Sequence, residues 1–153
     1  MTETIIKTVH VPISPDAAFD MFAGNLQAWW PVETHSLSAQ SGARPKDITV
    51  EPHVGGRIIE TMHDGSTVNW ATITDWTPGA RLSFDWYVGR DPSEATQVAV
   101  TFLPEPAGTR VDLTHGGFDR LGSQAAILHQ NYHSGWDHVF GTRFSAACAT
   151  RAA

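Results

Sequence analysis

Residues 122–153 read GSQAAILHQNYHSGWDHVFGTRFSAACATRAA. From Leu128 onward the apolar side chains fall at Leu128, Tyr132, Trp136, Val139, Phe140, Phe144, Ala147 and Cys148. Steps of four and three put them on one stripe of a long helix. The other face carries Gln130, Asn131, Asp137, Thr142, Arg143 and Thr150, which suit water. Ser123 is placed to cap the N-terminus, its hydroxyl accepting from an orphan backbone N–H. Gly135 is a weak point, worth about 1 kcal/mol against Ala in a helix interior, and predicts a bend or a second helix start. A stripe holding Trp, Tyr and two Phe needs a broad apolar partner, which the rest of the chain must supply.

Upstream, Thr4 to Val11 alternates as a strand and is closed by Pro12. Ser14 followed by Pro15 is a helix start, a capping hydroxyl and then a proline at the first helical position. Ala17, Ala18, Met21 and Phe22 give a short amphipathic helix. Gly24 separates it from a second short helix that runs to Trp29-Trp30 and stops at Pro31. Residues 32–46 are small and polar, with Gly42 and Pro45, and read as a long loop whose length makes it a rim or lid. Asp47 to Pro52 is a short strand, and Gly55-Gly56 a turn or bulge.

Five further strands follow: Arg57–His63, Thr67–Trp76, Arg81–Val88, Ala95–Leu103 and Thr109–His115. Asp64-Gly65, Pro78-Gly79, Gly89 to Glu94 and Pro104 to Gly108 punctuate them as hairpins. Leu82, Phe84 and Trp86 share one face, as do Val98, Val100 and Phe102. Trp76 has the opposite parity from Asn69, Ala71 and Ile73, and is expected on the convex side or at a dimer contact. Successive hairpins make an antiparallel meander, and a twisted sheet of this size curls. The order therefore predicts an α+β fold. A curved antiparallel sheet of about six to seven strands wraps around the long C-terminal helix, with two short helices after the first strand.

With 153 residues, 41% hydrophobic and 17% charged, the chain is expected to form one domain over 1–153. A net charge of −6 argues against a nucleic-acid partner, which demands a basic face. No run approaches the ~18 apolar residues of a membrane span, so no membrane partner is expected. The start of the chain has no basic stretch leading into an apolar run, and Cys148 stands alone, so no intrachain disulfide forms. These features predict a cytoplasmic protein. Gly55-Gly56 lacks the Lys-Ser/Thr of a phosphate loop, and no cofactor is expected.

Several short blocks add a second line of argument. They are Ser14-Pro15 with Phe19, Trp29-Trp30-Pro31 with His35-Ser36, and Glu51-Pro52 with Val54-Gly55-Gly56-Arg57 and Asp64-Gly65. Trp70 to Trp86, with Pro78, Arg81-Leu82 and Phe84, is the closest block. Gly108-Thr109-Arg110-Val111 with Leu113 and His115, and then Gly135-Trp136, complete the set. In this order and spacing the chain resembles the SRPBCC superfamily (START/Bet v 1-like), in the branch named for activator of Hsp90 ATPase homologue 1. The resemblance implies a helix-grip fold with an apolar cavity between sheet and C-terminal helix. It does not imply one activity, since members bind lipids, hormones or polyketides, act as cyclases or aromatases, or assist a chaperone.

The polar residues bearing on chemistry are few. If Ile58, Glu60 and Met62 face inward, Glu60 is a carboxylate among apolar walls, where burial favours a proton acceptor or ligand anchor. The opposite register puts Arg57, Ile59, Thr61 and His63 inside; the resemblance implies the first. His115 shares the face of Val111 and Leu113, and His133 lies one turn before Trp136, so either can poise a proton near neutral pH. His35, in the long loop, is a rim residue. His129 and His133 have a metal-compatible i, i+4 spacing but no identifiable third ligand, and no metal is expected. Trp29, Trp30, Met62, Trp70, Phe84, Trp86, Trp136 and Phe140 are the lining candidates.

Three functions follow as expectations. The first is a binding protein, monomer or homodimer, whose partner is an apolar or aromatic small molecule held between sheet and helix. The second is an enzyme of the polyketide cyclase/dehydratase type, with Glu60 or a pocket histidine such as His115 as general acid/base. The third is a chaperone- or stress-associated interaction protein without ligand.

Overall fold

The alternating strands assemble into one seven-stranded antiparallel sheet in the order β1-β7-β6-β5-β4-β3-β2. The structure, a computed structural model, describes residues 3–152; Met1, Thr2 and Ala153 of the expected 1–153 domain lie outside the described residues. β1 (Ile5–Val11) is followed by α1 (Pro15–Phe19), a π-turn (Asp20–Gly24) and α2 (Leu26–Trp29). The long loop contains one more helical turn, α3 (Leu37–Gln40). β2 (Asp47–Val50), β3 (Arg57–Thr61), β4 (Thr67–Thr77), β5 (Arg81–Trp86), β6 (Thr96–Glu105) and β7 (Gly108–Gly116) form the meander. A 3₁₀ segment (Phe118–Gln124) then leads into α4 (Ala125–Trp136), a π-helical segment (Asp137–Phe144) and α5 (Ser145–Ala152). These last three make up the C-terminal helix.

β1 pairs with β7, with Ile5 opposite His115 and Val9 opposite Val111, so the first strand is an edge of the sheet and β2 is the other. Leu82, Phe84, Trp86, Val98, Val100 and Phe102 are buried on the concave face, against Trp136, Val139, Phe140, Phe144 and Cys148 of the C-terminal helix. The stripe thus meets the sheet as the spacing predicts. Ser14 caps α1, accepting from the Ala17 N–H at 3.2 Å. The N-terminus of α4 differs from expectation: Ser123 lies inside the 3₁₀ segment, and Gln124 stands at the cap position without capping the helix, its Oε1 accepting instead from Arg90 at 2.9 Å. The helix also passes through Gly135; its irregularity is the π-helical segment that follows. Among the described residues no helix is long and apolar enough to cross a membrane.

Two register shifts in β4 change which side chains face inward. Against β3 the pairing jumps from Ile58–Ala71 to Ile59–Asn69, leaving Trp70 as the extra residue; against β5 it jumps from Ile73–Phe84 to Asp75–Ser83, leaving Thr74. A bulge places an extra residue in one strand and re-aims its neighbours. Trp70 and Ala71 are therefore both buried. Trp76, whose parity predicts the convex side, instead turns inward and meets Phe19 edge-on at 5.0 Å. The turn before β3 closes tightly: a Cβ on Gly56 would lie 2.5 Å from the Glu51 carbonyl oxygen, so only glycine fits there.

Candidate functional site

The concave face under α4 is filled by indoles. Trp29, Trp30, Trp70, Trp86 and Trp136 are all buried. Trp30 sits at their centre, with ring centroids 5.3 Å from Trp70, 5.8 Å from Trp86 and 5.9 Å from Trp136. The end of α2 at Pro31 brings Trp30 here, and its Nε1–H donates to the His35 carbonyl at 2.7 Å, which folds the following loop back over the sheet.

Glu60 is fully buried on β3 and faces inward. Its Oε1 accepts from the Leu37 backbone N–H at 2.9 Å and the Trp70 Nε1–H at 2.9 Å; its Oε2 accepts from the Ser38 N–H at 2.8 Å. Leu37 and Ser38 open α3, whose Ser36 cap takes the Ala39 N–H at 3.1 Å. The carboxylate therefore meets the orphan donors of a one-turn helix and pins the loop of residues 30–46 to the sheet.

His115 is also fully buried, on β7. The Trp136 Nε1–H donates to its Nδ1 at 3.0 Å. An indole N–H only donates, so Nδ1 is an acceptor and the proton sits on Nε2. Nε2 lies 2.6 Å from Thr96 Oγ1, whose own proton goes to the Trp86 carbonyl at 3.3 Å. Burial, with a smaller contribution from His129, pushes the His115 pKa down to about 3. The imidazole is neutral near pH 7, a fixed link between helix and sheet.

Two small clefts open where loop 30–46 meets α4, about 170 and 230 Å³ in volume. Both are bordered by Trp30, His35 and Tyr132. Trp70, Trp86, Thr34, Ser36 and Gln40 line the first; Trp136, Asn131, Gly135 and Val139 line the second. The Tyr132 hydroxyl accepts from the Trp86 Nε1–H at 2.9 Å. Burial holds its phenol above the ordinary pKa, so it stays protonated. His35 faces His138 of the C-terminal helix, ring centroids 5.8 Å apart; partial burial and this neighbour hold His35 below its ordinary pKa. A Cβ on Gly135 would meet nothing within 4 Å, so this mid-helix glycine answers no packing demand and leaves space in the cleft.

The family model for activator of Hsp90 ATPase homolog 1-like protein matches residues 12–149. The chain belongs to this family. The fold is shared with protein MLL2253 from Mesorhizobium loti, 18% identical with a TM-score of 0.67 over 93% of this chain and 94% of that one. It is shared too with the AHSA1-like protein from Aeromonas hydrophila, 21% identical with a TM-score of 0.65 over 94% and 90%. The chain is also similar to an anthrahydroquino-γ-pyrone synthase, Txn09, complexed with SUM: 28% identical, TM-score 0.65, over 95% and 96%. No curated protein matches the sequence.

In this family member the residues expected to line a cavity divide into three groups. Trp30, His35, Trp70, Trp86 and Trp136 border the clefts. Trp29, Phe84 and Phe140 are buried among other rings and line neither: Trp29 donates to the Met21 carbonyl at 2.9 Å, and Phe140 stacks on Phe144 at 5.5 Å. Met62 lies just past β3, partly buried, and its sulfur takes the Ser38 hydroxyl at 3.5 Å. Glu60 and His115 lie inside but are occupied by protein donors and acceptors, so neither presents a reactive group to the clefts.

His133 is a correction: it is exposed, because one residue past Tyr132 on a helix points roughly 100° away from the stripe. His129, its i, i+4 partner, contacts the Glu3 carbonyl at 2.8 Å. Among the described residues no group of three or more ligating side chains could hold a metal. Cys148 is buried and its thiol is pushed up to about 12. The broad cavity expected between sheet and helix is occupied by the indoles, which leave the two clefts at its mouth. Tyr132 and Gly135 read in the sequence as a stripe residue and a weak point, and nothing in their spacing marks them as cleft residues.

Proposed function

We propose that the chain binds a small, flat, apolar molecule carrying a hydrogen-bond acceptor, in the clefts between loop 30–46 and α4. The observation that carries this reading is Tyr132. Its hydroxyl accepts from the buried Trp86 indole and keeps its own proton for a ligand, at a place walled by indoles. Aromatic walls supply apolar contact, at about 25 cal/mol per Å² buried before association costs are subtracted. A single placed donor then sets orientation. Each cleft is smaller than the ~300 Å³ at which small-molecule sites begin, so the ligand spans both or displaces part of the loop. The likeness to the Txn09 synthase supports a fused-ring carbonyl compound as ligand class.

The test is titration with alizarin, a flat dihydroxyanthraquinone, followed by tryptophan fluorescence. Saturable quenching is expected. Gly135→Leu, which fills the second cleft from a site where a side chain meets no obstacle, is expected to weaken binding at least ~10-fold while raising helix stability. Tyr132→Phe is expected to cost about 1 kcal/mol of affinity for a carbonyl-bearing ligand, roughly fivefold. Binding left unchanged by Gly135→Leu would remove the cleft from consideration.

The same likeness favours a second reading, an enzyme of the polyketide cyclase/dehydratase type acting in these clefts. Tyr132 or His35 would then carry the proton, since Glu60 and His115 are committed to the fold. Turnover of a poly-β-ketone substrate that is lost in Tyr132→Phe, with binding retained, would select this reading.

A further inference from the structure

We infer that His35 sets the length of ligand that the clefts accept: its side chain is the movable part of the wall dividing them, and swinging it out joins them into one site. The inference rests on reading the clefts as a ligand site. Trp30, His35 and Tyr132 border both clefts, so together they form the wall between them. Alone, neither cleft reaches the ~300 Å³ at which small-molecule sites begin; joined, they pass it.

Two of the three are held in place. Trp30 is wedged among Trp29, Trp70, Trp86 and Trp136, with its Nε1–H donated to the His35 carbonyl. Tyr132 is held at its hydroxyl by the Trp86 indole, and its ring packs on His115 with centroids 4.8 Å apart. His35 is the most exposed of the three. Its imidazole bonds to the hydroxyl of its own neighbour, Thr34, at 2.7 Å. Toward the helix it faces the His138 ring, and among the described residues no hydrogen bond joins the two. The backbone around it is fixed. The His35 N–H donates to the Pro31 carbonyl at 2.8 Å, the Ser36 hydroxyl to the Val32 carbonyl at 2.6 Å, and Glu60 holds Leu37 and Ser38. The wall therefore opens by rotation of one side chain and not by movement of the loop. An exposed side chain changes rotamer in picoseconds to nanoseconds, so opening costs affinity and not time. A ligand short enough for one cleft needs no opening. A longer one binds only the open arrangement, and its affinity is reduced by the fraction of molecules in which the wall stands open.

The experiment compares alizarin, with three fused rings, to 1-hydroxy-2-acetonaphthone, a two-ring molecule with the same hydroxy-carbonyl pair. Affinities are measured by calorimetry for the native chain, His35→Ala and His35→Trp. Both substitutions keep the backbone bonds at residue 35 and fall at an exposed position, so the fold is retained. The ratio of alizarin to naphthone affinity is expected to rise about three- to tenfold in His35→Ala, where no side chain has to move aside. It is expected to fall at least ~3-fold in His35→Trp, which rebuilds the wall with a larger ring. In the native chain, the cross-peak between the ring protons of His35 and His138 is expected to vanish with alizarin bound and to persist with the naphthone. A ratio that does not rise in His35→Ala overturns the inference, as does one that does not fall in His35→Trp, or a cross-peak that persists with alizarin bound. In each of those cases the molecules still bind and the ligand-site reading stands. If neither molecule binds any of the three chains, the ligand-site reading falls and this inference falls with it.

Discussion

The two halves of the concave face are finished in different ways. Under α4, six polar links tie helix, loop and sheet together: Glu60 takes three donors, His115 joins Trp136 to Thr96, and Trp86 reaches Tyr132. Indoles fill the space between them. Under α1–α2 the sheet ends in a four-residue strand and the helix over it has four residues, with a 920 Å³ groove between. The side-chain bond seen across that groove runs from the Ile48 N–H to Gln27 Oε1 and is 3.5 Å long. Fully satisfied buried polar groups specify one arrangement and hold it. Short elements bury too little surface to close against each other. One half is therefore narrow and fixed, the other wide and loose.

Breaking the fixed half is expected to have the largest effect. Glu60→Leu leaves the Leu37 N–H, the Ser38 N–H and the Trp70 indole N–H buried without an acceptor. Each orphan costs about 1–3 kcal/mol, so a loss of at least ~3 kcal/mol is expected in urea unfolding. Amide exchange at Leu37 and Ser38 should rise more than in β6 and β7. Glu60→Gln keeps one acceptor oxygen and is expected to fall between. Unchanged exchange at Leu37 and Ser38 would mean that the loop is held by something other than this carboxylate.

His115 offers a milder probe through pH. Its folded pKa of about 3 lies below the ordinary 6.5, so the unfolded chain binds the extra proton between those values. Stability from this group is complete above about pH 6.5 and is lost as pH falls toward 3, at up to about 1.4 kcal/mol per pH unit. His115→Gln can still accept from Trp136 and donate to Thr96, but it does not titrate. The stability gap between the native chain and this variant should therefore shrink as pH is lowered from 6.5 to 4. A gap that stays constant would show that the imidazole is not buried in its neutral form.

How much of this the sequence announces differs between the halves too. Turn residues and the 128–148 stripe are local patterns, and they place the sheet and the helix. The inward face of Glu60 is legible through the Gly-Gly-Arg block before it. Its partners are not, because two of them are backbone N–H groups, which leave no trace in residue type. His115 pairs with Trp136 across 21 positions, a link created only by folding. The clefts escape notice because Tyr132 obeys the helix period like any core residue, and Gly135 reads as a break in the helix and not as space beside it. The bulges at Trp70 and Thr74 break the period-two rule within one strand, which is why Trp76 reads as convex and stands at the groove.

The smallest expected effect lies on the loose half. Gln27→Ala removes the amide that spans the groove to Ile48. At 3.5 Å the bond is at the outer limit of hydrogen bonding, and the groove beside it admits water to the Ile48 N–H once the amide is gone. The substitution also places a better helix former in α2. A net change under about 0.5 kcal/mol is therefore expected, with the Ile48 amide resonance moving and the rest of the spectrum in place. A loss above about 1.5 kcal/mol would mean that the groove's walls are held together as firmly as the indole half, and the contrast between the two would fail. A small change, set beside the losses expected at Glu60, would show that the width of the groove follows from its short elements and not from a strained contact waiting to close.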